Sequence, residues 1–371
     1  MRDTHTDTPQ TDTPRTPTAQ APLLPRSTEM IWLLPRMRVR RRSVALTVAL
    51  AVALVIAVVV ELATGAYFIP IPRVAEALLG GGEAIDRTAV LDWRMPRVLV
   101  GAGVGLALGA AGALTQSLAR NPLASPDFLG ISMGASAAAV AYIVLVPSGI
   151  VIGGFTVGTI WAAFVGGIAV AVVVTTLAYR GGLDSMRLVL IGVGINALAG
   201  AVVSLVLVQS SLAQATDAVV WLTGSLETRT WNQVTPLWII IAVGVAIVAF
   251  AAFDFRVTHL GDAVSRALGV PVRSTLLLLW TASVLLTAAS VAAAGPIGFI
   301  ALAAPQLARL LYGTPTPPVI GGALTGAALL LYADLLARHL LGSAPVGIVT
   351  SALGAPFLLF LLVRGNRKVT L

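Results

Sequence analysis

Side chains that could run a reaction are few in this chain and scattered. Its only lysine, Lys368, follows Arg367 where a phosphate-cradling GxxxxGK[ST] loop needs glycine, so that route to nucleotide hydrolysis is closed. The three histidines, His5, His259 and His339, match no metal-ligand spacing, and with no cysteine there is no thiolate site or disulfide. No nucleophile stands beside a base. Chemistry of another kind remains. The stretch RMPR sets Arg94 and Arg97 three residues apart, a spacing suited to gripping carboxylates or headgroup phosphates. RNPLASPDFLG, Arg120 to Gly130, interrupts two apolar runs with an asparagine, two prolines and an aspartate. Asp334 and Glu61 lie near the ends of other apolar runs, where a carboxylate is costly unless paired or used in ion movement. These residues suit recognition and gating, not bond making.

The elements that must hold them are membrane helices. The chain is 57% hydrophobic and 11% charged with a mean hydropathy of +0.92. Soluble domains carry about 25% charged residues. A bilayer core needs about 20 apolar residues per helix. Charge-free runs cover 43–60, 98–119, 128–179, 188–216, 230–253, 274–308, 310–333 and 340–363. The third turns at PSGIVIGG, and the sixth breaks at Gly295-Pro296 into a full helix and a shorter one. The expectation is therefore an all-α, polytopic fold of about ten transmembrane helices. Nothing alternates as the strands of a membrane barrel would. Following that alternation, 18 of the 24 Lys and Arg residues fall on the side of the N-terminus, which makes both termini cytoplasmic. The net charge of +8 is mostly this bias and does not indicate nucleic-acid binding.

Residues 1–42, rich in Thr, Pro and then Arg, are expected to form a disordered cytoplasmic tail without a cleavable signal, and Met30 or Met37 is an alternative start. Residues 43–371 make the membrane domain. The outer loop between Glu61 and Trp93 holds a short helix at Arg73 to Leu79 opened by Pro72, and QSSLAQATDAVVWLTGSLETRT (209–230) holds a surface or re-entrant one. The cytoplasmic segment Asp254–Arg273 reads as a small amphipathic helix. Leu260, Val264 and Leu268 recur at four-residue steps, Asp262 and Arg266 are placed to pair, and Gly269-Val270-Pro271 stops it. Such a helix lies on the bilayer or fills a partner's groove. RNPLASP is either a tight turn or a loop that opens and closes a pathway, since irregular backbone at membrane depth survives only in protein or beside a cavity. Gly101, Gly105, Gly109 and Gly112 are expected at a helix contact.

The stretch DWRMPRVLVGAGVGLALGAAGALTQSLARNPLASPDFLGISMGASAAA (92–139) resembles the FecCD-type permeases of bacterial ATP-binding-cassette (ABC) importers for iron–siderophore complexes, haem and cobalamin. AAAGPIGFIALAAPQLARLLYG, LLLYADLLAR and APVGIVTSALGAPFLLFLL agree in order downstream. The resemblance implies a ten-helix subunit of type II importer architecture in the bacterial cytoplasmic membrane. Two such subunits, alike or different, would pair around a central pathway, with a cytoplasmic ATPase dimer that binds the ATP and Mg and an extracytoplasmic substrate-binding protein. This chain would hold no cofactor and be no enzyme. The resemblance also implies roles. Arg94, Arg97 and Arg338 would receive glutamates of the binding protein; Asn121 and Leu123, with Ser185 and Met186 of GLDSMRL, would form the cytoplasmic gate; Leu260, Gly261, Asp262, Arg266, Leu268 and Gly269 would couple to the ATPase. Departures are Gln306 after Pro305 where His is usual, Ala344 where Glu is common before Pro-Val-Gly, and Ala301 where Gly is common. The expected cargo is a chelated iron nutrient, a ferric siderophore before haem or cobalamin. An ion-coupled secondary transporter and a non-transporting receptor subunit are the other classes.

Overall fold

A computed structural model describes residues 30–34, 37–146, 150–152, 155–179, 185–342 and 344–366. Among the described residues the chain divides into two units between Val44 and Ala45. In the expected disordered tail, Met30–Leu34 (β1) pairs antiparallel with Met37–Arg40 (β2), the Ile and Trp of MIWLL suiting an extended backbone. Residues 1–29 of that tail lie outside the described residues.

Among the described residues fifteen α-helices follow in order. They are α1 (Arg41–Ala63), α2 (Ile71–Leu78), α3 (Ala84–Thr88), α4 (Met95–Leu118), α5 (Ile131–Leu145), α6 (Thr159–Ala178), α7 (Ser185–Val208), α8 (Leu212–Leu222), α9 (Trp231–Phe250), α10 (Ala252–Thr258), α11 (Asp262–Ala267), α12 (Val272–Ala294), α13 (Ile300–Tyr312), α14 (Val319–Leu340) and α15 (Val346–Asn366). A π-helical turn, Ala89–Arg94, joins α3 to α4 in one rod. Among the described residues seven helical rods are long and apolar enough to cross a membrane, and α5, α13 and α15 are shorter apolar helices. These are the ten segments the charge-free runs delimit, and the chain is a multi-pass membrane protein. Between α5 and α6, where a turn is expected, Ile150–Ile152 (β3) and Phe155–Val157 (β4) form a small hairpin.

Local chemistry accounts for the short elements. Pro72 sits in the first turn of α2, where its missing N–H costs nothing. Ser211 and Gln214 cap α8 reciprocally. The segment Asp254–Arg273 differs from the single helix its periodicity predicts. It breaks into α10 and α11 at Gly261, whose φ of 99° is open to glycine and strained for other residues.

The rod through α4 lies at the centre, packed by α9, α12, α13 and α14. Its glycines do what their spacing predicts. A Cβ on Gly105 would meet the Ala327 backbone of α14, one on Gly109 the Gly322 carbonyl, and one on Gly112 the Ala301 carbonyl of α13. Lipid supplies no hydrophobic drive between helices, so this close backbone approach is what holds α4 to α14. Thr115 and Ser283 share a 2.8 Å hydrogen bond between α4 and α12, and Trp238 Nε1 donates to the Leu99 carbonyl at 3.2 Å.

Candidate functional site

At the end nearest the start of α4, the α4–α14 seam carries a chain of buried charge. Arg97 of α4 donates two bonds to Asp334 of α14, Nε to Oδ2 and Nη2 to Oδ1, both 2.8 Å. One turn further along α14, Arg338 pairs with Glu61 of α1 and approaches Asp334 at 3.7 Å. Both carboxylates are buried, whereas the Arg97 and Arg338 side chains keep 17% and 13% of their surface exposed. Two acids and two arginines thus neutralise one another across three helices. Arg338 also lies one helical turn from Asp334 in α14, but its closer partner is Glu61.

Arg94 behaves differently from the exposed docking cation the sequence predicts. It is buried, and its guanidinium donates 2.7 Å bonds to the carbonyls of Leu62 and Tyr67 while resting over the Tyr67 ring. Those carbonyls belong to chain leaving α1, which has no regular partner for them. The Tyr67 hydroxyl reaches Asp86, and Arg73 reaches Asp86 and Glu83. Arg94 is therefore a strut for the outer loop.

At the opposite end α4 stops at Leu118, and Asn121 leaves helical geometry before Pro122, as the proline demands. Asn121 Oδ1 accepts the Leu123 amide at 2.9 Å, an Asx turn that shapes the loop. Asn121 is exposed and Leu123 half-buried. Ser125 caps a 3₁₀ turn, Pro126–Leu129, that packs on α7. Met186 is exposed in the first turn of α7; Ser185 opens that helix, and its side chain lies outside the described residues. The half-buried Asp127 accepts from Ser132 at 2.6 Å and from Ser125 at 3.2 Å. Burial pushes its carboxyl above the ordinary range, against the pull of both hydroxyls.

Beside this loop lies a cavity of about 390 Å³ lined by Gln116, Arg120, Asn121, His259, Asp262 and Arg309 among others. Leu260, Val264 and Leu268 are exposed on α11 and its flanks as an apolar ridge. Gly261 and Gly269 bracket α11 with positive φ. The expected Asp262–Arg266 pairing does not form. Arg266 Nε bonds to the Asp262 carbonyl oxygen, and the Asp262 carboxylate instead accepts from Arg120 Nη2 at 2.6 Å.

Residues 53–364 match the FecCD transport family. This chain belongs to that family. It is 40% identical over 309 residues to the ferric enterobactin transport system permease protein FepG of Escherichia coli (strain K12), covering 83% of this chain and 92% of FepG. It is 39% identical over 284 residues to the hemin transport system permease protein HmuU of Yersinia pestis, covering 75% of this chain and 84% of that one. A solved metal-chelate type ABC transporter in an inward-facing conformation superposes with a TM-score of 0.74 at 26% identity, over 86% of this chain and 99% of the other. As a FecCD permease it is a transport subunit that works with other subunits, not a catalyst.

Within that frame two residues outside the sequence-derived sites stand out. Glu61 is the buried partner of an arginine the sequence singles out, and Arg120 is the partner of Asp262 at the start of α11. The available signal was the scarcity of charge: an acid in a membrane run needs a cation nearby. Gln306, where the family usually has histidine, is buried and its amide bonds to Gln116, whose own amide donates to the Leu302 carbonyl at 3.1 Å. It ties α13 to α4.

Proposed function

We propose that this FecCD permease carries a chelated iron nutrient, foremost a ferric siderophore, across the cytoplasmic membrane along a pathway shared with a second permease subunit, identical or not. The similarity to the ferric enterobactin permease, running nearly end to end, is the observation that carries this reading. A partner ATPase dimer binds ATP and Mg, and an extracytoplasmic protein delivers the chelate. Both termini face the cytoplasm, in keeping with the arginine bias.

In this reading the partly exposed Arg97 and Arg338 present cations to carboxylates of the delivering protein, and Arg94 holds the loop around them. Asn121 and Leu123, with Ser185 and Met186, close the cytoplasmic end. The ridge of Leu260, Val264 and Leu268 enters the ATPase, with Gly261, Asp262, Arg266 and Gly269 fixing its geometry. The pairing of Glu61 and Asp334 with arginines leaves neither carboxylate free as a proton carrier, which favours ATP over ion coupling.

The test is uptake into proteoliposomes holding the permease with its ATPase and delivering protein. Ferric enterobactin is expected to accumulate with ATP, ahead of haemin and cobalamin. Gradient-driven uptake without any ATPase would overturn the reading, and preferential uptake of haemin would move the cargo to the second relative's class. The double substitution Val264→Asp with Leu268→Asp is expected to release the ATPase on purification.

A further inference from the structure

The end of α4 is closed by a Schellman arrangement. Arg120 N–H bonds to the Ser117 carbonyl at 3.3 Å and Asn121 N–H to the Gln116 carbonyl at 3.2 Å. The residue after the cap must then adopt left-handed backbone, and Arg120 does, at φ 49°. Among the described residues six other α-helices are followed within two residues by a positive-φ residue, and each uses glycine: Gly80 after α2, Gly224 after α8, Gly269 after α11, Gly295 after α12, Gly313 after α13 and Gly342 after α14. Glycine is the unstrained choice because it lacks the Cβ that meets the carbonyl in this region. At α4 the chain accepts the strain and places a guanidinium there instead.

What that guanidinium reaches is Asp262, the first residue of α11, at 2.6 Å. The α10–α11 segment is itself pinned by the buried Ser265, whose hydroxyl lies 2.9 Å from the Val257 carbonyl and 2.8 Å from that of Gly261. On the other side Arg120 is joined covalently to Asn121, whose side chain fixes Leu123. The two charged side chains are 67% and 48% exposed, and ion pairs so exposed add little to fold stability. Attraction of a cation to the C-terminal end of α4 would be served from any position of its last turn and does not require the left-handed one. Neither stability nor the helix dipole therefore explains an arginine at this position.

We propose that Arg120 is a positioning residue that ties the RNPLASP loop to α11, so that displacement of α11 is delivered to Asn121 and Leu123. The proposal rests on the reading of α10–α11 as the ATPase-facing segment and of RNPLASP as the gate.

The chain contains no cysteine, so Ala124→Cys gives one reporter inside the loop. The measurement is its labelling rate by a thiol reagent in the assembled permease–ATPase complex, with and without ATP. With the Arg120–Asp262 pair intact, ATP is expected to change the rate about fivefold or more. Arg120→Gly should melt at the same or a higher temperature, because the backbone strain is relieved, yet lose most of the response to ATP. The exchange Arg120→Asp with Asp262→Arg should recover it, aspartate being tolerant of left-handed backbone. A normal ATP response in Arg120→Gly, or an exchange no better than the single changes, would overturn the proposal. ATPase co-purification separates the two ideas. If Arg120→Gly keeps its ATPase and its ATP response, the tie is refuted and the docking reading stands. If Val264→Asp with Leu268→Asp keeps the ATPase bound, the docking reading fails and the tie falls with it.

Discussion

The two ends of this permease handle charge in opposite ways. At the Arg97 end the carboxylates of Glu61 and Asp334 are buried and matched to arginines from other helices, one of them bidentate. At the opposite end Arg120 and Asp262 pair in the open, and the backbone around them is held by caps, an Asx turn and left-handed residues. Buried pairs are nearly all-or-none, because removing one partner strands the other, whereas exposed pairs can part and re-form at little cost. The Arg97 end is thus built as a fixed platform, whereas the pair at the Arg120 end is free to part and re-form.

The sharpest way to break this contrast is to neutralise one aspartate in each region. Asp334→Asn leaves Arg97 and Arg338 short of a compensating charge and should cost about 3–5 kcal/mol, enough to unfold or mislocalise much of the protein. Asp262→Asn should cost less than about 1 kcal/mol. Thermal unfolding in detergent reads both. Similar losses would mean that the two ends are not built differently.

The platform depends on how closely α4 and α14 approach beneath it. Gly105→Val puts a branched side chain against the Ala327 backbone, which has nowhere to go, and should cost about 1–3 kcal/mol or more. Gly194→Ala on α7 meets open space within the chain and should be neutral or stabilising by up to about 1 kcal/mol through helix propensity. If Gly105→Val melts like wild type, the seam is looser than the geometry implies and the arginine chain above it cannot be a rigid mount.

The helices, the glycine seam and the proline-opened α2 were legible because each depends on residues close in sequence or on a simple period. Gly105 and Gly109 announce a contact by spacing alone, although not with which helix. The pairing of Arg97 with Asp334 was not legible, since the partners lie far apart in the chain and no periodicity links them. Arg94 was misread as an exposed cation because RMPR says nothing of the Leu62 and Tyr67 carbonyls that claim it. Asp262 was assigned to Arg266 by the four-residue rule, which assumes an unbroken helix with free rotamers. The nearby end of α4 brought a better-placed guanidinium.

The smallest effect is the most discriminating, because it applies the same substitution to a third aspartate. Asp127 sits beside the RNPLASP loop with serine hydroxyls as its partners, and burial raises its carboxyl above the usual range. The folded chain therefore holds this proton to a higher pH than the unfolded chain does. Stability falls as pH rises from the ordinary carboxyl value, about 3.9, through the raised one, and is level above it. Asparagine cannot ionise, yet its side-chain oxygen still accepts from Ser132. Asp127→Asn is thus expected to match wild type or exceed it by no more than about 1 kcal/mol at pH 7, with the difference closing as the pH approaches 4. Melting curves of both proteins across that range decide the matter. A large loss at pH 7, like that expected for Asp334→Asn, would mean that the Arg120 end also contains a charge it cannot give up.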